Sequence, residues 1–582
     1  MDLLPALVVG IVVIAVSTVL ARRLGVAGPL ILVAIGLVAS LFLPPFAVDP
    51  ELILVGILPP LLYGAAVRMP AIEFRRDALP ITGLAVILVV VSALLLGALF
   101  FFALPELGFP LAVALGAILS PTDAVATSIV KKLGISPRVV TMLEGESLLN
   151  DATALVLLRS AVAAVAAGFS FWGTVGSFAW GVAVAVVIGV VFGMLTLRVR
   201  RWIPNPAANT ALGFVVPFLA FLPTEHLGGS GLVAAVAAGI TTGQGAARWA
   251  TPEQRVSDRV NWQTVELLLE GAVFLIMGLE LRDIVSATVA KHDGPWLAVG
   301  LALAALGIVL AVRAGYVTLV VALQGRRARQ RQRERLLALD RRLDEYDPAA
   351  SPAGAGGDHP LLRRRLEQAS PELRRRRVAE IRARVSRGLN DLDYYQASPL
   401  GWKHGTIIVW AGMRGVVTLA AAQTLPTVTP ARELLILIAF LVALISLLLQ
   451  GLSLPPVIRM LRIPAVSDET LMIEEQKELD AQLRAAALET LARPGLVDAQ
   501  GAPVPPELIE AARARLAQQP SEDATGPQGL LELRVLLIEA MRAHLVRISR
   551  EGAFSSAALK HALALLDADQ LSIEMRRGQG SE

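Results

Sequence analysis

The chain has 582 residues, of which 55% are hydrophobic and 18% charged, and its mean hydropathy is +0.62. A water-soluble protein of this length is rarely so apolar, and repeated runs of about 20 apolar residues are the mark of membrane helices. The absence of cysteine excludes disulfides and cysteine-ligated metals, and the six histidines show no metal-ligand spacing. A net charge of +4 says little, but the distribution of the charges along the chain is informative.

The hydropathy pattern predicts an all-α polytopic membrane protein with about thirteen spans. They lie near residues 3–21, 28–43, 50–67, 78–104, 108–130, 143–168, 172–199, 207–223, 228–244, 262–281, 295–323, 404–424 and 433–459. The first run, Leu3 to Leu20, is followed by Arg22-Arg23 and lacks both a preceding basic region and a small-residue cleavage site. It reads as a retained helix rather than a signal peptide. Basic clusters such as Arg68 to Arg76, Lys131 to Arg138 and Arg198 to Arg201 follow odd-numbered spans, whereas the loops after even-numbered spans are poor in Lys and Arg. The positive-inside rule then puts the N-terminus outside and the C-terminus in the cytoplasm of a cell (plasma or inner) membrane.

Four regions follow: a first membrane part at 1–324, a basic cytoplasmic loop at 325–403, two last spans within 404–464, and a helical cytoplasmic region at 465–582. The loop is dominated by arginine, with Arg363 to Arg365 and Arg374 to Arg377 as its densest runs and a flexible Gly-rich centre at 351–357. It reads as a solvated loop with short helices. The sharper alternative is a pad on anionic lipid headgroups, at about 1 kcal/mol per basic residue near the surface. The 465–582 region fits a small regulatory bundle or a dimerisation element. No nucleic-acid partner and no cofactor are expected.

The chemistry concentrates at Glu144-Gly-Glu146-Ser147-Leu-Leu-Asn150-Asp151, which opens a long apolar run. An ionised group at a bilayer centre costs about 2.5–3.5 kcal/mol even on the lenient insertion scale, so such groups usually face a cavity or a partner. At about 100° per residue, Glu146, Asn150, Ser147 and Asp151 share one wedge of a helix. Glu144 lies nearest the cytoplasmic end, where it lines an entrance.

Two further spans carry interruptions. Pro121 in Ser120-Pro121-Thr122-Asp123 removes a backbone donor in mid-run and should break its helix. Broken backbone at membrane depth is tolerated where protein or water surrounds it, and its freed carbonyls can hold a cation. Asp123 follows the break and is placed to compensate a positive helix N-terminus. Gly412 and Gly415, flanking Arg414, predict a second break. Interrupted spans in corresponding places, five and twelve, suggest two inverted six-helix repeats. Arg313, Arg414 and Glu270 also lie inside apolar runs and are expected in core ion pairs, with Arg313 the favoured partner of Glu146. Asp151 then remains the free carboxylate, with Ser147 and the Thr122 carbonyl as oxygen co-ligands for a cation. An all-oxygen set suits a hard cation.

Pro121-Thr-Asp and the Glu144–Asp151 stretch, followed by Phe274-Leu-Ile-Met-Gly-Leu-Glu and Trp410-Ala-Gly-Met-Arg-Gly-Val-Val, resemble the sodium/proton exchanger branch of the cation–proton antiporters. The resemblance covers residues 1–465 in family order. It implies a homodimer, a dimer domain beside a core domain, crossed discontinuous helices at spans five and twelve, elevator-like alternating access and a role in pH homeostasis. It also implies that Asp151 carries the cation or the proton, and that the Asn150–Asp151 pair goes with electroneutral one-for-one exchange. Some family members carry an acid after Leu-Pro-Pro-Leu-Leu-Tyr/Phe, where this chain has Gly64. The expected activity is therefore Na+/H+ antiport, with K+/H+ or broad cation/H+ antiport as the alternative. A cation channel or a membrane sensor signalling through 465–582 is the rival of another class. An enzyme is not expected: His226 and Ser230 sit in a Gly-rich loop without an oriented base.

Overall fold

The computed structural model describes residues 3–24, 26–44, 48–123, 125–167, 171–203, 205–291, 295–323, 333–339, 341, 371–426, 428–463, 468–497, 502–517 and 528–579. The Gly-rich centre at 351–357 and the basic run at 363–365 lie outside the described residues. Among the described residues the regular structure is helical, apart from one isolated bridge between Val497 and Pro503. The chain divides into two compact units, Met1–Leu319 with Trp402–Asp468, and Val320–Gly401 with Glu469–Glu582.

The first unit contains α1 (Leu3–Leu24), α2 (Gly28–Ser40), α3 (Leu52–Arg68), α4 (Ala71–Arg76), α5 (Ala78–Ala103), α6 (Gly108–Ile118), α7 (Val125–Lys132) and α8 (Pro137–Ala167). It continues with α9 (Phe171–Arg200), α10 (Pro206–His226), α11 (Gly231–Trp249), α12 (Pro252–Lys291) and α13 (Trp296–Leu323). After the second unit's α14 (Pro371–Ala397) come α15 (Trp402–Trp410), α16 (Val416–Gln423) and α17 (Arg432–Met460). Among the described residues six helices are long and apolar enough to cross a membrane, all within α5, α8, α9, α10, α13 and α17.

Within this unit the helices pack as two groups. In one, α9 lies against α11, α11 against α3 and α10, and α2 against α12. In the other, α5, α6 and α8 pack on one another, α16 lies on α17 and α6, and α7 touches α8 and α17. Burial separates their members: 72% of the apolar window of α17 is buried, against 22% for Val175–Arg200. Leu and Val side chains of α1 and α9, such as Leu4, Val187 and Val191, point outward, as a lipid-facing surface requires. The helix α12 extends well past the span expected at 262–281, and its 40 residues reach about 60 Å at 1.5 Å per residue.

Local chemistry explains the irregular stretches. Pro59 and Pro60 lack the donors a regular turn needs, and α3 opens with a wide π-turn over Leu52–Ile57. Two arginines that count as loop charges in sequence are structural. Arg138 is 1% exposed and donates to both carboxylate oxygens of Asp77, at 2.8 to 3.1 Å. Arg200 reaches Asp258 at 2.8 Å and also bonds Asn209. A buried guanidinium stays charged, so each needs such a carboxylate.

In the second unit, α18 (Asp468–Leu491), α19 (Pro506–Ala517), α20 (Gln528–Glu551) and α21 (Ser556–Gln579) form a bundle. Its centre holds Ala487, Leu491, Ala512, Leu533 and Leu537. Glu475 accepts from both the backbone N–H and the hydroxyl of Ser555 at the start of α21. The sequence treats 325–403 and 465–582 as separate pieces, but α14 belongs to this same unit, and Asn390 donates to the Glu551 carbonyl at 3.2 Å.

Candidate ion-binding site

The two breaks meet. The helix run stops after α6 and resumes at α7, leaving Ser120, Pro121, Thr122 and Asp123 outside helical geometry, and it stops again between α15 and α16 at 411–415. The Asp123 N–H donates to the Met413 carbonyl at 2.7 Å, so one broken segment hydrogen-bonds the other. Four half-helix ends are thereby gathered in one buried place.

Each sign of partial charge there has a counter-charge. At the N-terminal end of α7, Asp123 Oδ1 accepts from the Val125 N–H at 3.0 Å, the bond expected of a capping aspartate. The other oxygen lies against Gly415, the N-cap of α16, so closely that a Cβ at 415 would overlap it. One carboxylate thus serves two helix N-termini, where negative charge is stabilised. At the carbonyl-bearing ends, Arg414 Nε donates to the Leu119 carbonyl at 3.3 Å and its Nη1 to the Gly412 carbonyl. The Arg414 backbone N–H is held by Ser446 Oγ at 2.8 Å.

Arg414 therefore departs from the expected core ion pair. Its guanidinium, 2% exposed, is spent on carbonyls that no helix can satisfy, which is where a cation is favoured. Glu270 departs as well. Among the described residues it forms no ion pair, and Arg68 pairs with Glu266, one turn earlier on α12.

Among the described residues Arg313 and Glu146 make the fully enclosed ion pair at the site, each 1% exposed. Nη2 donates to Glu146 Oε2 at 2.7 Å, and Nη1 donates to the other oxygen. Arg313 Nε also donates to the Ile408 carbonyl at 2.8 Å, so α13 ties α8 to the end of α15. Gly412 makes room for this: a Cβ there would lie 2.7 Å from Arg313 Nε.

Over the next turn of α8, from Ser147 to Asn150, polar groups face the first break. Ser147 Oγ donates to the Thr122 carbonyl at 2.9 Å, and Asn150 Nδ2 donates to Thr122 Oγ1 at 3.2 Å and to the Ser120 carbonyl at 3.5 Å. Asn150 Oδ1 and Asp151 Oδ1 are buried without a hydrogen-bond partner among the described residues. Asp151 is 6% exposed. Buried oxygens are nearly always partnered, so two bare ones on consecutive residues of α8 suit a hard cation or a proton. At the other end of this face, Glu144 is 3.8 Å from Lys131 Nζ with a third of its side chain exposed.

Position 64 is closed to a side chain. A Cβ there would lie 2.9 Å from the Trp262 ring, and Arg68 Nε reaches back to the Gly64 carbonyl at 3.4 Å. The Trp262 ring occupies the space that a side chain at this position would take. Sequence reasoning missed Ser446 and the Met413 carbonyl. Ser446 had a usable signal, being one of three polar side chains in the apolar stretch 434–454 of α17. Ser230 is a helix cap for α11, bonded from the Val233 N–H.

A membrane bundle in which two interrupted helices meet around a buried carboxylate is the architecture of a secondary transporter. The sequence profile described as "Sodium/hydrogen exchanger, transmembrane" matches residues 9–337 and 385–460. The chain belongs to this family and is a multi-pass membrane protein. It is 36% identical over 307 residues to the uncharacterised Na+/H+ exchanger YjcE of Escherichia coli K12, covering 50% of this chain and 56% of that protein. It is 31% identical over 298 residues to the sodium, potassium, lithium and rubidium/H+ antiporter of Bacillus subtilis, covering 49% of this chain and 44% of that one. The matched stretch thus spans about half the length of these relatives. The fold is similar to that of the sodium proton antiporter MjNhaP1 of Methanocaldococcus jannaschii, with a TM-score of 0.53 and 16% identity over 79% of this chain and 99% of that one.

Proposed function

We propose that the protein exchanges a monovalent cation, Na+ in the first place, for protons across the cell membrane by alternating access, and that Asp151 is the group for which they compete. The observation that carries this reading is the contrast on α8: Glu146 is neutralised by Arg313, while Asp151 keeps a buried oxygen without a partner beside the two breaks. Na+ bound at Asp151 draws on Ser147 Oγ and the Thr122 carbonyl, whose second lone pair is left over from the Ser147 bond. Asn150 orients the break and adds no charge. One Na+ or one proton per carboxylate gives the two loaded forms equal charge, so exchange is electroneutral when the empty carrier does not cross. The helix group around α6, α8 and α16 is the moving body, and the group around α3 and α9–α12 is the fixed one and the dimer surface.

The same reading includes about thirteen spans in two inverted repeats, an outside N-terminus and a cytoplasmic C-terminus. It also includes anionic lipid at the arginine-rich 325–403 segment. A second ion range, broad cation/H+ exchange, is favoured by one specific feature: Gly64 and Trp262 remove an acidic ligand from α3, which loosens discrimination among cations.

The deciding experiment is proton flux in proteoliposomes with Na+, K+ and Li+ added in turn across a pH series. Proton movement driven by Na+ in preference to K+ supports Na+/H+ exchange. Equal responses support the broad range. A flat response to all three defeats antiport and leaves the sensor reading.

A further inference from the structure

Arg159 and Glu225 are charges that the exchange site does not use. Arg159 lies on α8, in the group that carries Asp151. Glu225 lies at the end of α10, in the other group. Arg159 Nη1 donates to Glu225 Oε2 at 2.5 Å. The second carboxylate oxygen accepts from the Gly231 N–H at 2.8 Å, at the N-terminus of α11. The hairpin bearing Glu225 is itself pinned to α9, through Ser230 N–H to the Gly181 carbonyl at 3.2 Å and Trp180 Nε1 to the Leu227 carbonyl at 3.3 Å. Glu225 is thus a fixed acceptor on one body, and Arg159 reaches it from the other.

The two meet at a cavity of about 380 Å³. The α8 side of its lining includes Leu155, Ser160 and Ala163, and the opposite side includes Gly173, Ser177 and Gly228. Ser160, Ala163, Gly173, Ser177 and Gly228 are small, so side chains interdigitate little at these positions and the ion pair is the charged contact across the cavity. A second link joins the same two groups. Glu280 on α12 accepts from Gln423 Nε2 on α16 at 2.6 Å and from the Val48 N–H at 3.2 Å. Thr288 of α12 adds a bond to the Glu433 carbonyl of α17 at 3.3 Å. Chain direction puts all three links at one end of the bundle. Gln423 ends α16, Glu433 starts α17, and Arg159 is toward the end of α8 remote from Glu144.

We propose that Arg159–Glu225, seconded by Glu280–Gln423, is a latch between the moving and fixed helix groups. It holds the two groups together at the Arg159 end in the state described here and must part in the opposite access state. The proposal rests on the alternating-access reading above. An ion pair between partly exposed side chains contributes little, so the latch biases the two states by about two- to fivefold rather than locking one.

The absence of cysteine makes the test clean, because a single introduced thiol has no background. With Leu155→Cys as reporter in proteoliposomes, buried at 7% exposure in the cavity lining, Arg159→Gln, Glu225→Gln and Gln423→Ala should each raise labelling by a water-soluble maleimide about two- to fivefold. The exchanged pair Arg159→Glu with Glu225→Arg should return the rate toward the parent value, which a merely structural loss would not do. An unchanged rate in Arg159→Gln and Glu225→Gln overturns the latch. In a separate protein, Arg159→Cys and Glu225→Cys are bridged by a short bifunctional thiol reagent, which should stop exchange. Full exchange in the bridged protein defeats relative movement of α8 and α10, and with it the alternating-access reading. Blocked exchange combined with unchanged labelling defeats the latch alone.

Discussion

Glu146 and Asp151 are two buried carboxylates on one helix, a turn and a half apart, and they have opposite surroundings. Glu146 has both oxygens on the Arg313 guanidinium. Asp151 has an oxygen with no partner among the described residues, beside an asparagine oxygen in the same condition. Burial is nearly equal, at 1% and 6% exposure, so burial does not distinguish them. The partner does. A carboxylate permanently paired with arginine is part of the scaffold, whereas one left without a resident counter-charge is available to an exchangeable cation.

Substitutions can break that contrast in order of effect. Asp151→Asn should abolish cation-driven proton flux in vesicles and leave thermal unfolding close to that of the parent, because no pairing is lost. Glu146→Gln should do the reverse in kind. It strands the Arg313 charge in the core, and breaking a buried pair in this way costs about 3–5 kcal/mol. A lower unfolding temperature in detergent checks this, and an unchanged one removes Glu146 from the scaffold. Gly415→Val is next. Its side chain must displace the Asp123 carboxylate from the start of α16, so cation affinity in flux assays should fall by about tenfold, equivalent to about 1.4 kcal/mol at the site. The smallest change in transport rate is expected for Asn150→Asp, which sets a further carboxylate beside Asp151 and costs stability as well, since the amide that donates to Thr122 and Ser120 is lost. Its readout is membrane potential: exchange that now responds to an imposed potential supports the charge argument, and exchange that stays indifferent to it does not.

Part of this was legible in the residues. Pro121 in mid-run announced a break because proline cannot donate and clashes with the preceding turn. The cost of charge in hydrocarbon singled out Glu146, Asp151 and Arg313 as groups needing an explanation. Other assignments failed for a common reason. Arg414 looked like another half of an ion pair, yet its partners are the Leu119 and Gly412 carbonyls, far apart in sequence and exposed only because two helices stop there. Arg138 looked like one more loop charge, yet it is enclosed with Asp77. Glu266, not Glu270, took Arg68, a choice between two glutamates one turn apart that no spacing rule makes.

The sequence by itself determined where the chain is apolar, where its helices are interrupted and which charges sit in hydrocarbon. Those follow from transfer energies and backbone chemistry, which are properties of single residues and short windows. Only the tertiary structure decided which charge meets which. The bond from Asp123 to Met413 joins segments 290 residues apart, and Arg313 finds Glu146 across 167. Contacts over such separations are set by helix packing, and Asp151 differs from Glu146 by what that packing brings to one of them and withholds from the other.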